Sequence, residues 1–191
     1  MISIQKKTLF EKLHEAIGFT PKVATYHDAS NTSKIDLYVG VDRPDFGITT
    51  YSTIGLSESS IDLVDKNNKD IRVEFIGICN SDVLEFPNII SSCAFNIINS
   101  NYSCDPGTVY PNVVKAYYPN IDLKHILFTP PYLWETLGNL ELEKFHINWL
   151  MTIPISDNEL QYLETNGSDA LEEALEKNDV CVFDIYRKSI L

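Results

Sequence analysis

Four histidines, four cysteines and 27 Asp and Glu side chains are the reactive groups of this 191-residue chain. Catalysis would need a nucleophile, a base and a group to orient the base, all within reach of one another. His14 falls on an amphipathic stretch, His27 stands beside Asp28 among polar residues, and His125 and His146 flank apolar runs. A lone histidine at the start of a strand is ordinarily structural. Cys104 has no local partner that would make a thiol dyad. No H-E-x-x-H, no G-x-S-x-G and no phosphate-cradling glycine loop occurs. The four cysteines form no C-x-x-C pair, which leaves neither a zinc ribbon nor a redox motif, and EF-hand spacing is absent. No catalytic residue, metal ligand or cofactor site is assigned. Cys79, Cys93 and Cys181 lie in apolar runs and read as buried free thiols.

The carboxylates are more informative. Asp169, Glu172, Glu173, Glu176 and Asp179 surround the apolar pairs Ala170-Leu171 and Ala174-Leu175, which fall four apart. That pattern is a helix with one buried stripe and an acidic remainder. Such a face is ordinarily just solvated surface. Its alternative use is as a docking patch for a basic protein partner. The formal net charge of −12 repels nucleic acid and anionic membrane alike, so neither is expected as a partner. No stretch reaches the roughly 20 apolar residues of a membrane helix, and the N-terminus lacks the apolar core of a signal peptide. A cytoplasmic address is expected.

The elements that must hold this helix lie just before it. Ile147, Trp149, Met151 and Ile153 alternate with the residues between them, at strand period. Pro154 is expected to end the pairing, because it has no N–H for a ladder. Ser156-Asp157-Asn158-Glu159 is a capping box, with Ile155 and Leu160 placed as a hydrophobic staple. The helix that follows should stop at Asn166-Gly167, and Ser168 should cap the acidic helix. Residues 180–184 read as a short buried strand.

The rest of the chain supplies a body. A helix is expected over 3–18, stopped by Gly18 and Pro21. Strands are expected over 35–41, 48–54 and 71–79, with a shorter one near 61–64. Residues 82–99 form an uncharged helix after Glu85, with Asp82 as its cap and Pro87 in its first turns. Residues 100–124 are turn-rich and carry four tyrosines, which suit either an interface or packing on the body. Residues 125–129 form a strand, Trp134 anchors the following loop, and 132–145 hold a hairpin into the central strand. The expected architecture is α+β: a mixed, largely antiparallel sheet with helices on its faces, in one domain over 1–191.

Three pieces of the chain, in order, resemble one known family. Thr53-Ile54-Gly55-Leu56-Ser57 is similar to a T-x-G-L-S segment, with Gly55 at an angle only glycine takes cheaply. Phe128 to Trp134 resembles a loop of paired prolines. Pro154-Ile155-Ser156 to Glu159-Leu160, then Asn166-Gly167, then Asp184, Arg187 and Ser189, resemble the C-terminal signature of the suppressor-of-fused-like domains. The likeness spans about 50–190 and implies their fold. It further implies a non-catalytic role. Small bacterial members of this kind accompany polymorphic toxins, nucleases among them, as immunity proteins. The larger animal relatives imply an alternative, an intracellular regulator that sequesters a protein through an edge strand or peptide groove.

Overall fold

The computed structural model describes residues 4–18, 21–134 and 136–191. In chain order the elements are α1 (Ile4–Ile17), β1 (Lys22–His27), β2 (Lys34–Val41), β3 (Ile48–Ile54) and a 3-10 turn (Leu56–Glu58). Next come β4 (Leu63–Val64), β5 (Asp70–Asn80), α2 (Phe86–Ser100), β6 (Val109–Tyr110), β7 (Leu123–Thr129) and β8 (Leu140–Glu141). The chain closes with β9 (Phe145–Ser156), α3 (Asp157–Asn166) and α4 (Ser168–Lys177).

Among the described residues all nine strands join one sheet in the order β1-β2-β3-β5-β9-β7-β6, with β4 beside β5 and β8 beside β9. Every pairing is antiparallel except β5 with β9, so the sheet is mixed and largely antiparallel. That parallel pair, Asp70–Ile76 against Phe145–Met151, forms the centre. The chain between β5 and β9 forms α2, β6, β7 and β8, because two parallel neighbours need a long crossover.

Side chains of the central strands alternate between two cores. Val73, Phe75, Phe128 and Leu150 point to the side covered by α2. Ile76, Ile78, Leu127, Trp149, Met151 and Ile153 point to the side covered by α1 and α4. The central strands are thus buried on both faces, as a sheet between two helical layers must be. The uncharged α2 fits this place: Phe86, Ile89, Ile90, Cys93, Ala94 and Ile97 all lie inside. It lies close on the sheet, for a Cβ at Gly77 would sit 2.9 Å from Ile90 Cδ1. The tyrosines of the turn-rich stretch mostly serve the body. Tyr110 is buried, Tyr117 Oη lies 2.7 Å from Ser92 Oγ, and Tyr118 Oη accepts from the Glu85 N–H.

The structure departs from the sequence reading in several places. A strand at Lys22–His27 went unread because its residues are mostly exposed and carry no clear apolar alternation. Helix α2 starts at Phe86 rather than at Asp82, after turns at 81–85, and no side chain caps it. The predicted start at Ser3 lies outside the described residues. Residues 180–184 form no strand: two turns, Asp184 N–H to Cys181 O and Arg187 N–H to Asp184 O, take their backbone groups instead. Cys181 is therefore exposed, whereas Cys79 and Cys93 are buried as expected, together with Cys104. Ser168 does not cap α4; Gly167 occupies that position with no side-chain bond.

Pro154 does not end β9 either. It sits opposite Ile126 in the β7 pairing, three residues past the last β5 partner at Met151. Its carbonyl accepts from Arg187, on the side that β5 has already left. The missing N–H falls on that side too, so no ladder bond is lost.

Candidate functional site

One concavity gathers the acidic residues singled out above. Asp169, Glu172, Glu173, Glu176 and Asp179 all line one groove of about 670 Å³. Its floor is apolar: Ile153 from β9, Leu175 from α4, and Val180 and Val182 from the segment after α4. Tyr132, from the loop after β7, stands on its rim side. Leu171 and Leu175 are buried against the sheet, and this fixes the rotation of α4 and turns its carboxylates to the groove.

The five carboxylates are not equivalent. Glu173 pairs with Lys177 at 2.7 Å, one turn along α4, which lowers its carboxyl below the usual range. Glu172 is pushed up, first by burial and then by the charge of Asp169. Burial also raises the Tyr132 hydroxyl, and Glu172 adds to that rise. Among the described residues no Lys or Arg forms an ion pair with Asp169, Glu172, Glu176 or Asp179. The groove therefore offers at least four uncompensated carboxylates above an apolar floor. Such a surface suits Lys or Arg side chains, with the stem on the floor and the charged head at the rim.

Two buried carboxylates brace the body. The first is Glu159, wholly buried at the start of α3. It completes the predicted capping box: its Oε2 accepts from the Ser156 N–H at 2.9 Å, and Ser156 Oγ accepts from the Glu159 N–H at 3.1 Å. Arg187 then grips it by two nitrogens, Nη1 to Oε1 at 2.6 Å and Nη2 to Oε2 at 2.9 Å. The Ile190 N–H also donates to it, and Ser156 Oγ meets Ser189 Oγ at 2.7 Å. The C-terminal residues are thus tied across the head of α3. Gly167 ends α3 at φ +90 and ψ 162, a positive φ as expected but outside the left-handed helical region.

The second is Glu74 of β5, a residue the sequence reading passed over. Its carboxylate is wholly buried and takes five donors. Thr53 Oγ1 donates at 2.6 Å, Ser57 Oγ at 2.6 Å, and the N–H groups of Gly55, Leu56 and Ser57 at 3.0, 3.2 and 3.0 Å. Burial pushes its pKa upward against the pull of those donors. Gly55 has φ +100, and a Cβ there would lie 2.5 Å from Lys6 Cε, so the turn that presents its N–H needs glycine. The available signal was a single Glu amid the buried run of 73–79.

His125 is held within the body. His125 Nδ1 accepts from the Asn112 N–H at 2.9 Å, and Nε2 lies 2.9 Å from Asp157 Oδ1, beside the Lys124–Asp157 pair. Burial raises the Cys79 thiol to about 12 and drives those of Cys93 and Cys104 higher still. Such thiols are poor nucleophiles. Among the described residues no three His, Cys, Asp or Glu side chains converge as a metal site. No helix among them is long and apolar enough to cross a membrane.

Comparison with known proteins identifies the fold and the family. The family model described as Suppressor of fused protein (SUFU) matches residues 31–188. A relative from Bacillus subtilis (strain 168), Immunity protein YqcF, is 41% identical over 191 residues, covering 100% of this chain and 99% of its own. A SUFU homolog from Neisseria gonorrhoeae FA 1090, solved at 1.40 Å, superposes with a TM-score of 0.73 at 14% identity. That alignment covers 98% of this chain and 97% of the other. The Sufu–Fu complex structure gives a TM-score of 0.68 at 13% identity, covering 97% and 91%. Drosophila Suppressor of Fused gives 0.64 at 11%, covering 96% of this chain and 50% of that one.

Proposed function

The chain belongs to the suppressor of fused family, and from that premise we propose that it is an immunity protein, a non-catalytic inhibitor of a cognate toxin. The observation that carries this reading is the 41% identity, over the whole chain, to a protein named as an immunity protein. On this reading residues 1–191 act as one domain in the cytoplasm of the cell they protect.

The acidic groove is the docking surface we propose, and a toxin with a basic cleft is the partner. A nuclease is the target class that fits best, because holding phosphate requires clustered cations. An inhibitor of opposite charge is drawn to such a cleft, and steering lifts association above the roughly 10⁵–10⁶ M⁻¹s⁻¹ of uncharged partners. The apolar floor then supplies contact area once the charges have brought the surfaces together. Neither a membrane nor a nucleic acid is a partner in this scheme.

Two experiments test the two levels separately. Expressing the toxin encoded beside this protein, with and without it, tests the role: cells should survive only in its presence, and death in both cases removes the proposal. Reversing Glu172, Glu176 and Asp179 together to Lys tests the surface. The variant should fold, associate at least about tenfold more slowly at low salt, and lose most of the salt dependence. An unchanged on-rate would move the interface elsewhere while leaving the role intact.

A further inference from the structure

The two ends of the sheet are unequal. At one end stands β6, two residues long; at the other stands β1, six residues long and paired on one side. Strand β1 lies against β2 in unbroken register, from Lys22 opposite Val39 to His27 opposite Lys34. Just past it, the Asp28 N–H donates to Ser33 O at 3.0 Å, so the backbone of residue 28 turns toward the β2 side. Antiparallel strands alternate, so Ala24 and Tyr26 also turn their backbone groups to β2, while Val23, Thr25 and His27 turn theirs away.

Those three residues are exposed, and among the described residues no turn, loop or cap bond reaches their N–H or C=O groups. Natural sheets blunt such an edge with a proline, a bulge or a charge. From Val23 to His27 there is no proline, no bulge and no Lys, Arg, Asp or Glu.

We propose that β1 pairs with β1 of a second copy of this chain, antiparallel about a two-fold axis at Thr25, so that two sheets join into one. Symmetry restricts the register, because both copies turn the same three residues outward. With Thr25 opposite Thr25 of the second copy, Val23 meets His27, and the three outward residues of each chain exchange about six backbone hydrogen bonds. Centring on Ala24 instead would set His27 opposite Pro21, which has no N–H to give. The side chains suit the same register. Ala24 faces Tyr26 of the second copy, small against large, and Lys22 faces Asp28, cation against anion, twice over. The net charge of −12 is carried elsewhere: across 22–41, Lys22 and Lys34 balance Asp28 and Asp36, so the approaching edges are neutral. This self-matching register selects a second copy over a foreign strand. Strands β2, β3 and β5 separate β1 from β9, whose Ile153 floors the acidic groove, so the inference stands apart from the toxin-binding reading.

Sedimentation of the full chain gives the first test. The mass should rise with concentration from 21.7 kDa toward twice that value. A chain still monomeric at about 1 mM, where a millimolar Kd would show, overturns the proposal. The second test reads the register, in a Cys181→Ser background because Cys181 is the exposed cysteine. Thr25→Cys should form a disulfide-linked dimer on air oxidation, since hydrogen-bonded opposite residues lie about 5.5 Å apart, within disulfide reach. Val23→Cys should not, because its two copies would lie four residues out of register, about 13 Å apart. No cross-link at position 25, or equal cross-linking at both positions, overturns the pairing. Thr25→Pro removes the central outward N–H and leaves the β2 ladder its donors. It should weaken the dimer at least about tenfold. The mass and cross-linking readouts stand even where that variant fails to fold.

Discussion

Glu74 and Glu159 are both wholly buried carboxylates, yet they are stabilised by different means. Glu159 has a guanidinium against it, whereas Glu74 is met by two hydroxyls and three backbone N–H groups. Every donor around Glu74 points inward, so the site is built for an acceptor with two oxygens. Glu74→Gln places an NH₂ against those donors and should lower stability by about 1–3 kcal/mol, the penalty of unmet buried polar groups. Urea unfolding measures this, and an unchanged midpoint would mean the turn at 53–57 is held by something else. The motif Thr53-x-Gly55-Leu56-Ser57 gains a physical meaning here, as the cradle of one carboxylate. Thr53 is used twice, donating to Glu74 while its oxygen accepts from the Phe75 N–H at 2.8 Å.

At the scale of elements, the end of the chain acts as a brace for α3. Arg187 links Glu159 at the head of α3 with the carbonyl of Pro154 in β9. Its guanidinium is nearly buried, so removing it strands a charge inside the protein. Arg187→Ala should cost about 3–5 kcal/mol and make residues after Asp184 sensitive to proteases. The double change Arg187→Met with Glu159→Gln should cost less than the sum of the two single changes, since it leaves no lone charge. Strict additivity in thermal or urea unfolding would contradict a coupled pair. The brace bears on function through α4: the chain between Asn178 and Asp184 both floors the groove and leads into Arg187.

At the scale of the molecule, the charge of −12 sets how a partner arrives, and Glu172 sets how that arrival responds to pH. Burial and Asp169 hold its carboxyl above the ordinary range, so it protonates ahead of Glu173 as pH falls. On the proposed function, capture of a cationic toxin should slow as Glu172 protonates, ahead of the ordinary carboxylates. In the free protein the sign is reversed. A raised folded value means that ionised Glu172 opposes folding above its unfolded value, and that this opposition is lifted as pH falls. Glu172→Gln should therefore flatten the on-rate profile on the neutral side of ordinary carboxylate titration and leave neutral-pH stability equal or slightly higher. A profile identical to wild type in stopped-flow association would assign the pH response to another group.

Period and local chemistry were enough to read α1, the strands from β2 to β3 and β5, β7 and β9, the capping box, and the amphipathic α4. Those signals depend only on residues within a few positions of one another. The same holds for the five carboxylates, whose shared face follows from helical spacing. Neighbours distant in the chain decided the rest. Pro154 stays in its strand because the β5–β9 pairing ends at Met151, before reaching it, and 180–184 is held by turn bonds and by a single bond from the Asn80 N–H to the Phe183 carbonyl. Glu74 is a nest rather than a surface charge because a loop 17 to 21 residues earlier closes over it. The acidic face became a groove only when Ile153, Val180, Val182 and Tyr132 were brought beneath and beside it, since concavity is a relation between elements and no single stretch of sequence contains it.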